Sequence, residues 1–250
     1  MRRKLINENF FKSWSEEMAY ILGYWFADGC ITRRKDMKEG CSYLCQFGSK
    51  DKEQLEKIRD ILDSNYKISQ YTKKINNKNF INYSLHIRSK EIYEDILNLG
   101  GVERKSLIAR FPYVPKEYIK HFIRGYFDGD GCITIKKGKG KYGQPILKGI
   151  SIIFTSGSRL FLEGLRDQAC KIAELGKRRV YRGSNAYYLK YDTFESLKWF
   201  KLFYSGSLSD LFLERKFNIF KKYFQLRPIR IDKEIENILK KEIRPSIQVV

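Results

Sequence analysis

Two spacings of apolar residues alternate along this chain. In some stretches apolar residues recur every three to four positions, which is typical of an amphipathic helix, and in others they alternate with polar residues, which is typical of a strand with one buried face. The order helix, two strands, helix, two strands, helix is predicted twice. The predicted strands are residues 30–35, 41–49, 66–74, 79–88, 132–137, 147–155, 177–183 and 186–191. The predicted helices that follow them are residues 51–62, 90–99, 158–172, 193–204 and 211–224.

The helix that opens each series carries an internal repeat. Residues 20–31 (YILGYWFADGCI) match residues 122–133 (FIRGYFDGDGCI) in register, which places Asp28 and Asp130 at the same point of the two copies. A repeat of this length predicts a monomer with pseudo-two-fold symmetry. The expected divisions are a first half at 1–110, a second half at 111–226, and an extension at 227–250 with one short helix and extended ends.

Small residues are spaced four apart in both repeated helices, Gly23 and Ala27 in the first and Gly125 and Gly129 in the second. Residues four apart lie on one face of a helix, so each helix presents a narrow strip without bulky side chains. Two such strips allow the backbones to approach closely. We therefore expect the two helices to pack against each other with their carboxyl ends, and hence the two aspartates, close together.

Each of these aspartates is followed by a glycine, and we expect Gly29 and Gly131 to end the helices in the left-handed conformation that glycine adopts without steric cost. A carboxylate in the last turn faces the negative end of the helix dipole, which costs up to about 1 kcal/mol, and two adjacent carboxylates repel each other. A divalent cation removes both penalties. Mg²⁺ suits such a site, and two carboxylates holding two or three ions are typical of metal-assisted phosphodiester hydrolysis. The alternative, two solvated helix-capping acids, does not explain the repeat.

The composition predicts a folded protein with a polyanionic partner. Hydrophobic residues make up 42% of the chain and aromatic residues 15%, which excludes a disordered protein. Lys and Arg number 49 against 29 Asp and Glu, so the net charge is +20, and nucleic acid is the usual partner of so basic a chain. An anionic membrane surface is the weaker alternative, because no apolar run approaches the ~18 residues of a spanning helix.

The ends of the chain and its cysteines exclude further classes. The first 15 residues lack the apolar core of a signal peptide, so we expect an intracellular protein, in either the cytoplasm or an organelle matrix. We do not expect an intein, because the chain starts with Met and ends Gln-Val-Val without splicing blocks. Five cysteines without a CxxC pair, and only two histidines, provide no zinc spacing. We interpret the cysteines as small buried groups in a reducing compartment.

The segments 21–29 (ILGYWFADG) and 123–131 (IRGYFDGDG) resemble the two signature motifs of the LAGLIDADG homing endonucleases, and the resemblance extends over about residues 15–225. The second copy is a strong match, whereas Phe26 stands in the first copy where the signature has its earlier aspartate. The resemblance implies an α+β fold, a duplicated αββαββα unit whose two four-stranded antiparallel sheets form a DNA-binding saddle. It also implies a monomeric endonuclease that binds a long, specific, partly asymmetric site in double-stranded DNA and cuts each strand once.

The same resemblance implies a metal site. Asp28 and Asp130 would bind two or three Mg²⁺ ions between them and activate water, and Mn²⁺ or Ca²⁺ would replace Mg²⁺ in crystals. The backbone carbonyls of Ala27 and Gly129 would also face the metal.

Further site residues follow from the positions that the family's residues occupy. The best matches for the family's one lysine per half are Lys105 and Lys216, which would stabilise charge on the phosphate or polarise water. Ordinary surface lysines are the alternative interpretation of both. At the ends of the second strands, Gln46, Ser49 and Ser156 would position water.

A DNA-binding surface is predicted from the strand periodicity, because alternate residues of a strand point to the same face of a sheet. Guanidinium, hydroxyl and aromatic groups suit base edges, while lysines suit phosphates, including those of the lysine- and glycine-rich connection around residues 136–148. The candidates are Thr32, Arg34, Tyr71, Lys73, Ser84, His86, Arg88, Thr134, Lys136, Lys148, Arg178, Tyr181, Arg182, Tyr188 and Lys190.

Two other functions remain open at this point. The first is a non-cleaving nucleic-acid binder on the same scaffold, either an RNA splicing maturase or a transcription regulator, and metal-dependent nicking of DNA distinguishes it from an enzyme. The second is a basic structural protein, whose affinity would fall steeply with salt and show no sequence preference.

Overall fold

The computed structural model describes residues 5–36, 40–75, 77–206 and 211–241. The helices of the first half are α1 (Glu16–Asp28), α2 (Lys52–Ile61) and α3 (Lys90–Asn98), and those of the rest of the chain are α4 (Ile119–Asp130), α5 (Arg159–Ala173), α6 (Thr193–Tyr204), α7 (Glu214–Leu226) and α8 (Lys233–Lys241). The strands of the first half are β1 (Gly29–Asp36), β2 (Gly40–Ser49), β3 (Ile68–Ile75) and β4 (Lys78–Ile87). Those of the second half are β5 (Gly131–Lys139), β6 (Pro145–Ser156), β7 (Val180–Arg182) and β8 (Tyr187–Tyr191).

The strands form two antiparallel sheets of identical topology. Their strand orders are β1-β2-β4-β3 and β5-β6-β8-β7, and every neighbouring pair is antiparallel. The predicted α+β fold with a duplicated αββαββα unit is therefore confirmed. The proposed boundaries at 110 and 226 stay predictions, and residues 1–4 and 242–250 of the predicted divisions lie outside the described part of the chain.

One face of each sheet is buried under helices. In the first sheet the buried strand residues alternate, with Ile31, Cys45 and Phe47 on the helix side and polar residues between them. The two halves also share a core, because Phe26 of α1 packs on Phe122 of α4 and on Phe161 of α5, with ring centroids 5.5 and 5.8 Å apart. The helices between the sheets thus join the two halves into one molecule. None of the described helices is both long and apolar enough to cross a membrane.

Three sequence-based expectations differ from the structure. The strand predicted at 177–183 is only Val180–Arg182, because only these three residues pair with β8; Arg178, before the strand, pairs with Glu195 of α6, 2.6 Å away. The lysine-rich connection is shorter than predicted, because β5 and β6 extend to Lys139 and from Pro145. All five cysteines are free, but only Cys45 is buried and Cys132 is exposed, so the interpretation of all five as buried groups is wrong.

Candidate active site

Helices α1 and α4 cross with their backbones in contact at the small residues. A Cβ atom added to Gly23 would lie 2.0 Å from the carbonyl oxygen of Phe122, and one added to Gly125 would lie 2.0 Å from that of Tyr20. One added to Gly129 would lie 2.3 Å from the Ala27 Cβ atom. The expected close packing of the two repeated helices is confirmed, since no larger side chain fits between them.

The glycines that end these helices are not in the left-handed conformation, so that expectation is wrong. Gly29 has φ −101° and Gly131 has φ −81°, both extended, because each helix leads directly into the first strand of its sheet. Glycine is needed there for space. A Cβ atom would lie 2.2 Å from the Trp25 indole in the first half and 2.2 Å from the Phe127 ring in the second.

Asp28 and Asp130 end their helices at the same place in the molecule. A Cβ atom added to Gly129, the neighbour of Asp130, would lie 3.2 Å from Asp28 Oδ2. Both side chains line one cavity of about 410 Å³, which we call the aspartate cavity. Its other lining residues are Tyr24, Gln46, Gly48, Ser49, Lys50, Asp51, Tyr71, Lys73, Asn82, Asp128, Gly129 and Arg215.

Burial disfavours the charged form of both acids, and the charge of Asp28 adds to this effect at Asp130. Burial, together with the charge of Asp28, raises the pKa of Asp130 to about 6. Burial also raises the pKa of Asp28, although four cations, foremost Lys105, oppose that rise. Among the described residues no cluster of three or more His, Cys, Asp or Glu could hold a metal. Carboxylates and backbone carbonyls are oxygen ligands of the kind that Mg²⁺ accepts together with water and phosphate.

The two predicted lysines are buried beside the ends of these helices. Lys105 Nζ donates to the Ala27 carbonyl at 3.0 Å. Lys216 Nζ donates to the carbonyls of Phe127, Asp128 and Gly131, the last two at 2.9 and 2.6 Å. Burial lowers the pKa of Lys105 and lowers that of Lys216 to about 8. The alternative of ordinary surface lysines does not fit these positions, because 93% or more of each residue is hidden from solvent.

The predicted metal-facing carbonyls are in different surroundings. The Ala27 oxygen accepts the Lys105 hydrogen bond, and a carbonyl oxygen has a second lone pair that this bond leaves free. Gly129 lines the aspartate cavity. Their role as metal ligands stays a prediction.

Of the predicted water-positioning residues, Gln46 and Ser49 line the aspartate cavity, whereas Ser156 is absent from its lining. Both serine hydroxyls accept hydrogen bonds from the chain two residues on, Ser49 from the N–H of Asp51 at 3.0 Å and Ser156 from that of Ser158 at 3.1 Å. These bonds shape the turns into α2 and α5. A water-positioning role stays a prediction for all three.

Sequence reasoning missed Asp128, a fully buried third acid. Its Oδ2 atom accepts hydrogen bonds from the Tyr20 hydroxyl at 2.7 Å and from the backbone N–H of Leu213 at 2.9 Å. Leu213 immediately precedes α7, the helix that carries Lys216. Asp128 therefore ties α4 to α1 and to the start of α7. The signal was present in the sequence, because Asp128 is the earlier aspartate of the second motif and Phe26 occupies that position in the first.

Sequence reasoning also missed Lys50 and Arg215, which line the aspartate cavity. Arg215 Nε donates to Asp51 Oδ2 at 2.9 Å and so joins the second half to the start of α2. No motif marks these residues: Lys50 meets Asp28 through the fold of the first half, and Arg215 meets it when the two halves pack together.

Candidate DNA-contacting residues of the first half share one sheet face. The pairings Cys30 with Gln46 and Gln46 with His86 place these residues opposite the helices. The same alternation places the candidates Thr32, Arg34, Tyr71, Lys73, Ser84 and His86 on that face, and Arg88 follows in phase after β4. Ser84 is nevertheless buried, at 4% exposure, which leaves little of its surface for a ligand.

The second sheet brings only some of its candidates to the corresponding face. Those on it are Thr134, Tyr181, Tyr188 and Lys190. Lys148 is exposed at the β5–β6 end.

Lys136 also lies on that face, in phase with Thr134, whereas Arg182 does not and Arg178 precedes β7. Arg182 alternates in phase with the buried Val180. Lys136 and Arg178 form ion pairs with Asp192 and Glu195. DNA contact by all fifteen candidates stays a prediction.

Comparison with known proteins supports one family. A model of the LAGLIDADG-like domain matches residues 15–100 and again residues 117–202. Two curated proteins of Methanocaldococcus jannaschii are also similar, namely the DNA-directed RNA polymerase subunit Rpo1C, 31% identical over 123 residues, and a probable translation initiation factor IF-2, 25% identical over 156 residues. These matches span 47% and 58% of this chain but only 13% and 11% of the two relatives.

Several solved structures share the fold. The LAGLIDADG homing endonuclease I-LtrWI bound to target DNA has a TM-score of 0.55 at 13% identity, over 94% of this chain and 97% of that one. The homing endonuclease I-WcaI bound to its DNA recognition sequence has a TM-score of 0.54 at 15% identity, over 83% and 88%. A variant of I-DmoI, in complex with its target DNA in the presence of magnesium, has a TM-score of 0.52 at 16% identity, over 80% and 100%.

Proposed function

This chain belongs to the LAGLIDADG family, and on that basis we propose that it is a site-specific homing endonuclease that hydrolyses both strands of double-stranded DNA with a divalent metal. The observation that carries the proposal is the aspartate cavity. Two helix-terminal carboxylates from equivalent positions line one cavity at the junction of two sheets, in a chain of net charge +20. Relatives of the same fold were solved with DNA, which supports DNA as the partner.

The residues around the cavity fit a divalent cation. In the metal-free protein burial disfavours the ionised form of Asp28 and Asp130, and the charge of Asp28 disfavours it further at Asp130. A cation between the two carboxylates would favour the ionised form of both. Magnesium in the I-DmoI complex supports this choice of ion. When bound, divalent ions supply Lewis-acid activation of water and neutralise charge on phosphate.

The chain's own residues then orient the reacting groups. The backbone contacts of Lys105 and Lys216 hold both ammonium groups at the helix ends, near the acids. Positive charge fixed at this place stabilises the negative charge that develops on the phosphate oxygens during hydrolysis. The outward sheet residues hold the duplex across the cavity, with lysines on phosphates and polar or aromatic side chains on base edges.

The test uses the full chain and a pool of linear duplexes with randomised sequence, since selection of cleaved members yields the target. We expect double-strand cleavage in Mg²⁺ and none in EDTA. Asp28→Asn and Asp130→Asn should each abolish cleavage and leave binding in EDTA within about threefold of the original, because each removes a metal ligand and not a DNA contact. Asp60→Asn, an exposed acid on α2, is the control.

Two outcomes would contradict the proposal. Full cleavage by both aspartate variants would show that the reaction does not require the two acids. Site-specific binding without any cleavage in Mg²⁺ would instead identify a non-cleaving binder on the same scaffold.

A further inference from the structure

The pseudo-symmetry of the molecule permits a position-by-position comparison of its two halves. Gly29 pairs with Phe47 in the first sheet, and Gly131 pairs with Phe154 in the second. These glycines follow the two aspartates directly, so the two pairs are equivalent. Counting from them, the β2–α2 corner (residues 46–51) corresponds to the β6–α5 corner (residues 153–158).

The two corners carry different chemistry. Gln46 and Lys50 of the first corner line the aspartate cavity. Their counterparts are Ile153 and Gly157. An amide and an ammonium group that can bind water or phosphate are therefore replaced by an aliphatic side chain and by no side chain at all.

The chain itself prevents a side chain at Gly157. A Cβ atom there would lie 2.3 Å from the carbonyl oxygen of Ser106. The same connection is fixed by Ser158, whose hydroxyl donates to the Ala109 carbonyl at 2.6 Å. The Ser106 carbonyl thus lies where a side chain at position 157 would begin, so this corner cannot carry a counterpart of Lys50.

The two corners also differ in whether an arginine side chain is held there. Arg215, directly before Lys216, is held at the first corner by its hydrogen bond to Asp51. Its counterpart is Arg104, directly before Lys105, which is exposed and has a positive φ of 54°. The position equivalent to Asp51 is Ser158, which carries no charge to hold an arginine.

The sum of these differences is an unequal field at the two acids. The cations whose charges act on Asp28 are Lys105, Lys216, Lys50 and Arg215. Of these, Lys105 and Lys216 also act on Asp130. Cationic and hydrogen-bonding groups that face the reacting phosphate stabilise the transition state, so two more of them on one side favour that side.

We propose that the two strands are cut in a fixed order: the strand whose phosphate lies beside Gln46, Lys50 and Arg215 is cut first, and the strand beside the β6–α5 corner is cut second, through a nicked intermediate. The inference rests on the proposed function. A single lost hydrogen-bond or charge contact at a reacting phosphate is worth about 10-fold or more in rate, so we expect the first cut to be at least about 10-fold faster than the second.

The experiment follows both strands separately. A duplex that carries the site recovered from the randomised pool is labelled with a different fluorophore at each 5′ end, and single-turnover cleavage is started with Mg²⁺. The nicked species should always be cut in the same strand. Equal rates for the two strands would overturn the inference and leave the proposed endonuclease intact, whereas no cleavage of any pool member would overturn both.

Variants identify which corner serves the fast strand. The double variant Gln46→Ile with Lys50→Ala gives the first corner the character of the second, and should slow the fast strand at least about 10-fold without slowing the other. The reverse change Ile153→Gln should quicken the slow strand; Gly157 is left alone because of the Ser106 carbonyl. Lys90→Ala removes an exposed charge paired with Glu94 on α3 and is the matched control.

Thermal unfolding checks that each variant is folded. If the double variant unfolds, Ile153→Gln tests the inference by itself. This substitution does not change the buried face of the sheet, and only the cleavage rate of the slow strand should change. A double variant that stays folded and slows both strands equally, or an Ile153→Gln variant that leaves the slow strand unchanged, would overturn the inference.

Discussion

Asp130 is held in a conformation that costs the folded protein free energy when no cation is present. It is buried, it lies at the negative end of the α4 dipole, and Asp28 is its neighbour in the cavity. All three effects favour the protonated acid. Its pKa of about 6 is therefore higher than the value of about 3.9 for an aspartate in the unfolded chain.

Asp130→Asn should for this reason stabilise the metal-free protein. Because the folded protein binds the proton more tightly, the ionised acid destabilises it fully above about pH 6. The penalty shrinks as the pH falls from about 6 toward about 4 and is lost below that, where both states become protonated. The free energy of unfolding should rise by about 1–3 kcal/mol at pH 7. Urea denaturation in EDTA between pH 4 and pH 8 measures this difference.

Asp60→Asn, on the exposed side of α2, should change the free energy of unfolding by less than about 0.5 kcal/mol over the same pH range. Added Mg²⁺ should stabilise the original protein and so reduce the advantage of Asp130→Asn. An advantage that persisted unchanged at pH 4, or in saturating Mg²⁺, would show that the gain has another origin.

At the scale of the elements, the α1–α4 contact determines where both acids lie. Gly23 and Gly125 are each in contact with the backbone of the opposite helix, so the observed separation of the helices requires glycine at both positions. Wider separation would move Asp28 away from Asp130. Stability and the geometry of the cavity therefore depend on the same two residues.

Gly125→Ala should destabilise the protein by about 1–3 kcal/mol, as expected for overpacking of a close-packed contact, because its Cβ atom would lie 2.0 Å from the Tyr20 carbonyl oxygen. It should also lower the cleavage rate at temperatures where the variant remains folded. Thermal unfolding followed by circular dichroism measures the first effect. Gly176→Ala is the control, since its Cβ atom would have only the Glu195 carboxylate at 3.6 Å; equal losses in both variants would refute the explanation.

The whole molecule is strongly basic, but its basic residues differ in what they face. Lys73 lines the aspartate cavity on the outward face of the first sheet, whereas Lys90 begins α3 on the helix side. If the duplex lies on the outward faces, only the first of these lysines neutralises a phosphate.

Lys73→Gln should therefore reduce the slope of log affinity against log salt by about 1, whereas Lys90→Gln should leave the slope unchanged. Affinity for the selected site and for an unrelated duplex of equal length, measured by fluorescence anisotropy at several salt concentrations, provides both slopes. An equal affinity for the two duplexes at every salt concentration would support the basic structural protein instead of a site-specific enzyme.

The sequence was sufficient for the features that local patterns determine. The helix predicted at 193–204 has the observed bounds. The repeated motif located both acids, and the family resemblance indicated the two lysines that lie beside the helix ends. The conformation of Gly29 was predicted wrongly. Glycine at a helix end indicates either a left-handed cap or a position too crowded for a side chain, and only the position of the Trp25 ring distinguishes these two explanations.

Features that depend on contact between the halves could not be predicted from the sequence. Arg215 reaches the acids from the far end of the second half, and no local spacing relates it to Asp28. Lys136 and Arg178 illustrate the same limit, because each forms an ion pair with an acid that is distant in sequence, Asp192 and Glu195 respectively.

Each half contributes a segment that contacts the other half, and this has a consequence for recombination between relatives. Residues 106–109, at the end of the first half, pack on Gly157 and Ser158 of the second, while Arg215 of the second half bonds to Asp51 of the first. A hybrid made by fusing halves from two parents inherits a segment shaped for a surface that is no longer there. We expect functional hybrids only when each segment and the corner it contacts come from the same parent.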